Sequence, residues 1–191
     1  MNKEQLVGLL NSLKAVVTDL EICINSTTPN EKTSIKTVDK YGIVRYTVDG
    51  ELHREDGPAV EHTNGDKSYF INDKRHRVDG PAIEYANGGK EYYIDGKLHR
   101  EDGPAIEYSD GDKSYYIDGK RHREDGPAVE HTDGYKAYYI NDKLHREDGP
   151  AIEYTNGSKA YFIEGVKMSK DEYLKNPVVI EKLIQKFKDQ I

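Results

Sequence analysis

Histidine and arginine recur as a pair at a fixed interval along this sequence. The pairs begin at His53, His76, His99, His122 and His145, each 23 residues after the one before, and are completed by Arg54, Arg77, Arg100, Arg123 and Arg146. A row of imidazoles could bind a metal ion, but in an antiparallel meander equivalent residues lie two strands apart, roughly 9.5 Å. That separation is too large for two ring nitrogens to share one zinc ion at about 2.1 Å each. We therefore predict no metal site and no cofactor, and histidines that pack against tyrosine and bond to a turn.

The acidic residues that follow each arginine also repeat. Arg-Glu-Asp occurs in four of the five copies, and Val78 replaces the glutamate in the second. Catalytic acid–base groups normally form one unique constellation, so we predict that the protein is not an enzyme and that each arginine forms a structural salt bridge or caps a turn. Asp110 and Asp112 have the spacing of calcium ligands, but the other copies lack this acidic pair, and turn chemistry explains it.

The most prominent aromatic residues are three tyrosine pairs, Tyr92-Tyr93, Tyr115-Tyr116 and Tyr138-Tyr139. Neighbours on a strand point to opposite faces, so one tyrosine of each pair packs inward and the other is left on the second face. One interpretation is a two-sided aromatic ladder that compensates for a shortage of aliphatic residues. The other is an exposed stripe of the residue type favoured at protein interfaces. The candidate protein-binding residues are Phe70, Tyr93, Tyr116, Tyr139 and Phe162.

These residues belong to a repeat that determines the predicted fold. Asp-Gly-Pro-Ala begins at Asp56, Asp79, Asp102, Asp125 and Asp148, and each unit also carries two turn signals, such as Asn87-Gly88 and Asp95-Gly96. Asn-Gly and Asp-Gly favour two-residue type I′ hairpins. We predict two strands per repeat in an elongated antiparallel meander of β-hairpins, with the alternative of a β-solenoid. Two-residue loops would place Tyr69 opposite Val60 and His76, and Ser68 opposite Glu61 and Arg77. Asp-Gly-Pro should form a bend or bulge.

The predicted organisation has four parts. Residues 1–25 read as an amphipathic helix, 26–40 as a polar linker, 41–168 as the repeats and 169–191 as a helical cap. In the cap, Ser169 with Glu172 resembles a capping box, Asn176-Pro177 restarts a helix, and an apolar stripe follows. The stripe consists of Ile180, Leu183, Ile184, Phe187 and Ile191.

The N-terminal helix is the predicted site of self-association. Its oligomerisation residues are Leu6, Leu10, Leu13, Val17, Leu20 and Ile24, which follow heptad spacing. Such a stripe cannot remain in water, so it either pairs with the same helix of another chain or folds back over the sheet. We predict the first arrangement, most simply a homodimer.

The 23-residue period and the run aromatic-x-x-Asn/Asp-Gly-x-x-His resemble MORN-type repeats. The form Tyr-Tyr-Ile-Asp-Gly-Lys-Leu-His-Arg-Glu-Asp-Gly-Pro-Ala (residues 92–105) is similar to the MORN-like group that includes bacterial antitoxin-like proteins, and to repeats in bacteriophages and large viruses. The resemblance covers about 128 of the 191 residues and implies a non-catalytic scaffold. It departs from the better-known pattern in having no tryptophan and a His-Arg-Glu-Asp-Gly-Pro segment.

The composition limits the classes of partner that we expect for this protein. The chain has a net charge of −7, which disfavours a nucleic-acid backbone or an anionic membrane as the main partner. Its single cysteine excludes an intramolecular disulfide. The sequence shows no membrane span and no signal peptide, so we expect a cytoplasmic protein, in the host cytoplasm if it is viral. The predicted function is a scaffold that neutralises or inhibits a partner protein, as an antitoxin-like or viral anti-defence inhibitor would. The alternative is a structural assembly protein that oligomerises through its N-terminal helix.

Overall fold

The computed structural model describes residues 34–190, which all belong to one compact unit beginning at Ser34. This unit is an antiparallel β-hairpin meander followed by two helices, so the predicted fold class is confirmed for the repeats and the C-terminal cap. The predicted helix over 1–25, with its oligomerisation residues, lies outside the described residues. No helix in the described part of the chain is long and apolar enough to cross a membrane.

The strands are short. They are β1 (Ile35–Val38), β2 (Val44–Val48), β3 (Glu51–Leu52), β4 (Val60–Glu61), β5 (Lys67–Ser68), β6 (Phe70–Ile71), β7 (Lys74–Arg75), β8 (Ile83–Glu84), β9 (Lys90–Glu91), β10 (Tyr93–Ile94), β11 (Lys97–Leu98), β12 (Ile106–Glu107), β13 (Lys113–Ser114), β14 (Tyr116–Ile117), β15 (Lys120–Arg121), β16 (Val129–Glu130), β17 (Lys136–Ala137), β18 (Tyr139–Ile140), β19 (Lys143–Leu144), β20 (Ile152–Glu153), β21 (Lys159–Ile163) and β22 (Val166–Met168). The helices are α1 (Lys170–Leu174) and α2 (Pro177–Lys188).

Each repeat divides between a main sheet and a separate hairpin. The main sheet has 14 strands in the order β1-β2-β4-β5-β8-β9-β12-β13-β16-β17-β20-β21-β22, with β3 paired to β2. The hairpins β6–β7, β10–β11, β14–β15 and β18–β19 form two-stranded sheets of their own. The pairings described are antiparallel, so the chain is a meander and not a solenoid. Strand β1 lies within the segment predicted as linker, so the sheet starts before Tyr41, the predicted beginning of the array.

The predicted register is wrong by one residue at the first turn of each repeat. Val60 pairs with Ser68, and not with Tyr69. The reason is a three-residue loop: the His62 N–H bonds to the Asp66 carbonyl at 2.9 Å, and Gly65 occupies the left-handed region at φ +97°. Glu61 therefore lies opposite Lys67 and not opposite Ser68, and Arg77 forms its ion pair with Glu84.

The second turn of each repeat has the predicted form. Asp95 and Gly96 both have positive φ angles, 50° and 80°, as a two-residue type I′ turn requires. Tyr93 then pairs with Leu98, and the His99 N–H bonds to the Tyr92 carbonyl at 3.0 Å. The strand changes partner at Tyr92. The Tyr92 carbonyl bonds within the hairpin, whereas the Tyr92 N–H donates to the Ala105 carbonyl at 2.8 Å, beyond the Asp-Gly-Pro bend. This exchange separates the hairpin from the main sheet.

The core consists of small side chains. The alanine of Asp-Gly-Pro-Ala is 0% exposed in all five copies, Ala59, Ala82, Ala105, Ala128 and Ala151. The following Val or Ile is buried or nearly so, and a cluster of Ala137, Ile152 and Ala160 lies near the C-terminal end. A sheet with so thin an apolar layer must obtain part of its stability from polar contacts.

The helical cap begins as the sequence predicts. Ser169 and Glu172 form a reciprocal capping box at α1, and Asn176 caps α2, with Pro177 in its first turn. The cap is joined to the last repeat through Tyr173, which is buried. Its hydroxyl donates to the Arg146 carbonyl at 2.9 Å and accepts from the Gly149 N–H at 2.8 Å.

Candidate functional site

Each repeat arginine is enclosed by four groups that we call the arginine cage. In the central copy, Arg100 donates from Nε to Asp102 at 2.8 Å and from Nη1 to Glu107 at 2.7 Å and the Pro104 carbonyl at 3.3 Å. Its Cζ lies 4.0 Å from the centroid of the Tyr92 ring. The guanidinium thus combines charged hydrogen bonds with a cation–π contact.

The cage recurs with nearly identical geometry in all five copies. The arginine-to-tyrosine distance is 3.9 to 4.1 Å for Arg54–Tyr46, Arg77–Tyr69, Arg100–Tyr92, Arg123–Tyr115 and Arg146–Tyr138. The bend glycine allows this approach, since a Cβ at Gly103 would lie 3.0 Å from the Arg100 Cζ. The hydrogen bond from Arg100 holds the pKa of Asp102 below its usual value. The cages stabilise the bends, and their charges are already paired.

The repeat histidines connect one repeat to the next. The Asp118 N–H lies 3.2 Å from Nδ1 of His99, within hydrogen-bonding distance, and the Asp118 carboxylate lies 3.1 Å from the same nitrogen. Asp118 is the first residue of the following type I′ turn, with φ of 50°. The same contact links His53 to Asn72, His76 to Asp95, His122 to Asn141 and His145 to Glu164. Nδ1 is therefore engaged with a turn at each junction.

The geometry does not gather these groups into a metal site. Within residues 34–190, no group of three or more histidine, cysteine, aspartate or glutamate side chains is arranged to hold a metal ion. An open groove does lie between consecutive bends, for example between those at Asp56 and Asp79. The lining residues Arg54 and Arg77 are committed to their cages. The groove is therefore lined by the same polar groups that recur in every repeat, and it contains no additional cluster of functional side chains.

The predicted protein-binding residues are half-buried. Phe70, Tyr93, Tyr116, Tyr139 and Phe162 occupy equivalent positions on the hairpins. Tyr139 and Phe162 pack against the cluster of Ala137, Ile152 and Ala160. Tyr93 donates its hydroxyl to Glu91 at 2.7 Å, and burial together with Glu91 raises the pKa of Tyr93 to about 12. Each ring therefore supports the sheet while keeping part of its surface accessible.

A more exposed set of aromatic side chains was missed by the sequence reasoning. We call it the aromatic row, and it consists of His62, Tyr85, Tyr108, His131 and Tyr154. These residues recur every 23 residues, directly after the Val/Ile-Glu dipeptide. This periodicity is visible in the sequence, but it is less prominent than the tyrosine pairs. Tyr108 is 50% exposed. Each member begins the three-residue turn, as when the Gly111 N–H bonds to the Tyr108 carbonyl at 3.0 Å.

The tyrosine hydroxyl groups of the aromatic row differ in their hydrogen bonding. Tyr85 donates to Glu91 at 2.8 Å, and burial with that bond raises the pKa of Tyr85 to about 12. Ser114 and Ala160 occupy the position of Glu91 in the repeats of Tyr108 and Tyr154. These two tyrosines therefore lack the corresponding carboxylate bond and present both ring and hydroxyl at the turn edge.

Lysine and glutamate alternate across the main sheet. Lys90 lies opposite Glu84 on one side and Glu107 on the other, and the same order continues through the repeats. The glutamates are also bound by the cage arginines, as Glu107 is by Arg100. Alternating opposite charges favour this register and disfavour a slipped one.

The fold and its contacts define a class of protein, a β-hairpin repeat array held by arginine cages and histidine junctions. No protein-family model matches the chain, and no curated protein matches it either. The MORN-like resemblance therefore stays a prediction.

Proposed function

We propose that this protein is a non-catalytic repeat scaffold of the MORN-like group that binds a partner protein and neutralises or inhibits it, as an antitoxin-like or viral anti-defence inhibitor would. The aromatic row is the observation that carries the proposal. It places exposed tyrosine and histidine rings along one turn edge at intervals of roughly 9.5 Å, two strands apart. Tyrosine is enriched among the residues that dominate protein interfaces.

Rigidity of the supporting sheet favours the same function. Binding through a preformed surface avoids much of the entropy cost of ordering loops. The turn of Tyr108 is held to its neighbour because Asp112 accepts a hydrogen bond from the Thr132 N–H at 2.8 Å. Asp66 makes the equivalent bond to the Ala86 N–H at 2.7 Å. His62 is thus fixed relative to Tyr85, and Tyr108 relative to His131.

The repetition of the polar clusters argues against catalysis. An active site needs a nucleophile, acid or base whose environment differs from its surroundings. Here the cage at Arg100 has the same partners as those at Arg77 and Arg123, with distances that agree within a few tenths of an ångström. Five equivalent ion-pair clusters serve the stability of five equivalent bends.

The test is comparative capture of partners from host lysate. Full-length wild type, the row variant Tyr108→Ser/Tyr154→Ser and the control Tyr41→Ser are immobilised at equal density, and captured proteins are quantified by mass spectrometry. Tyr41 is exposed but lies outside the aromatic row. We expect a protein captured by wild type and control and reduced about tenfold on the row variant, the size expected when an interface hot spot is lost. Equal capture by all three would contradict the aromatic row as the binding surface.

A structural assembly role is the second candidate, and one observation favours it. Helix α2 exposes several apolar side chains, among them Ile180, Ile184 and Phe187. Contiguous apolar surface of this kind is typical of association sites. The predicted homodimer through the N-terminal helix and the cytoplasmic location also remain proposals.

A further inference from the structure

Helix α2 carries an apolar stripe on the side that faces away from the repeats. The stripe consists of Pro177, Ile180, Ile184 and Phe187, whose spacing of three, four and three residues is that of coiled-coil core positions. Phe187 is 68% exposed, the highest value on this helix among its large hydrophobic residues. Pro177, Ile180 and Ile184 line an open groove whose rim is formed by Glu181, Gln185 and Lys188.

The opposite side of the helix attaches it to the repeat array. Val179 is fully buried in a cluster with Ile163 and Tyr173, and Lys186 forms an ion pair with Asp148 at 2.9 Å. At 100° per residue, Ile184 lies about 140° around the helix from Val179. The attachment therefore fixes the stripe in an outward orientation.

We propose that this stripe binds the same stripe of a second copy of the chain, with the two helices antiparallel about a two-fold axis near Ile184. Charge complementarity identifies the occupant. Glu181 and Lys188 lie on the rim two helical turns apart, and an antiparallel pair places Glu181 of each copy opposite Lys188 of the other. In a parallel pair this side of each helix would instead face the other side of its neighbour, so Glu181 and Lys188 of the two copies would not meet.

Apolar packing is consistent with the same register. When Glu181 faces Lys188 of the other copy, Phe187 is level with Lys182 of that copy. It then lies between Ile180 and Ile184 of the facing helix, as a knob fits a hole. Two features of one short helix, its rim charges and its apolar spacing, thus agree on one alignment.

The experiment measures self-association of the full-length chain by sedimentation equilibrium over a range of concentrations. Glu181→Lys and Lys188→Glu are prepared singly, and each is expected to weaken the dimer about tenfold because both rim pairs become repulsive. An equal mixture of the two variants should recover dimer at the wild-type level, since every cross-pair is again of opposite charge. The recovery also shows that both variants are folded.

Two further variants separate the stripe from other surfaces. Ile184→Glu should abolish the dimer, because it introduces a charge near the two-fold axis. Val78→Glu is the matched control, since Val78 is 84% exposed and four other repeats carry glutamate at its position. We expect it to leave the dimer unchanged.

Three results would overturn the proposal. One is a wild-type chain that stays monomeric at every concentration, and another is a dimer that Ile184→Glu leaves intact while Leu13→Glu disrupts it. Failure of the mixed charge variants to recover the dimer would exclude the antiparallel alignment. None of these results depends on whether the aromatic row binds a partner.

Discussion

Replacement of Arg100 by alanine tests the arginine cage directly. The side chain is mostly buried in the third of five equivalent cages, so its loss affects neither end of the array. Removal of the guanidinium leaves the Pro104 carbonyl without this donor, leaves Glu107 without its cation, and exposes the face of Tyr92. The Asp102 contact adds little, because that carboxylate is 85% exposed.

The expected loss of stability follows from these contacts. A half-buried charged hydrogen bond contributes about 1.5 kcal/mol, the unpaired carbonyl costs about 1 kcal/mol, and the cation–π contact adds about 0.5 kcal/mol. The free energy of unfolding should therefore fall by about 3 kcal/mol, which corresponds to a melting temperature lower by about 6 to 12 °C for a chain of this size. Arg100→Lys should recover only part of this, because an ammonium group cannot reproduce the fork of donors.

Urea unfolding followed by circular dichroism and by tyrosine fluorescence measures the effect. The chain has 15 tyrosines and no tryptophan, so the fluorescence reports on the rings of the sheet. Arg75→Ala is the matched control. Arg75 is exposed and its Cζ lies 5.4 Å from the Tyr93 centroid, so we expect a change below about 0.5 kcal/mol. Equal unfolding midpoints for Arg100→Ala and Arg75→Ala would refute the structural role of the cage.

Three further predictions follow from the same contacts. Gly103→Ala should lower the free energy of unfolding by about 1 to 3 kcal/mol, because its Cβ would lie 3.0 Å from the guanidinium carbon of Arg100; an unchanged urea unfolding curve would contradict this. Absorbance titration of the phenols should show Tyr85 and Tyr93 ionising near pH 12 through burial and their bonds to Glu91, and Glu91→Gln should lower both pKa values; an unchanged late phase would contradict this. The lowered pKa of Asp102 means that its contribution is present above the ordinary value of 3.8 and is lost as pH falls through its lower folded value. The difference in melting temperature between wild type and Asp102→Asn, small because this carboxylate is 85% exposed, should accordingly vanish in acid, and a constant difference would show that Arg100 does not set that pKa.

Periodicity made the meander predictable, but not the register of its first turn. Two kinds of turn share the Asn-Gly or Asp-Gly signal, and they differ in whether the residue before glycine has positive φ. Asp95 does, whereas Asn64 does not, because the Asn64 side chain instead accepts from the Asp66 N–H at 3.1 Å. That side-chain bond stabilises the three-residue loop, and the dipeptide alone does not reveal it.

The candidate sites were predictable to different degrees. A 23-residue interval indicates that Arg100 and His99 serve each repeat alike, yet their partners come from the fold. The contact with Asp118 is 19 residues away in the chain, and Tyr92 precedes Arg100 by eight. That these residues meet in space can be recognised only when the register of both turns in each repeat is known.

In the proposed function, binding specificity comes from positions where the repeats differ from one another. The cage residues are the same in all five copies, so they distinguish no part of a partner from any other part. By contrast, the turn position after Asn-Gly or Asp-Gly is occupied by Asp66, Gly89, Asp112, Tyr135 and Ser158 in succession. These side chains adjoin the aromatic row: the Tyr135 ring lies 5.0 Å from that of His131, and Asp112 lies 3.6 Å from His131. The same polar cage residues in every repeat thus support a turn edge whose side chains change from repeat to repeat. Each repeat can therefore offer a partner a different contact at this edge.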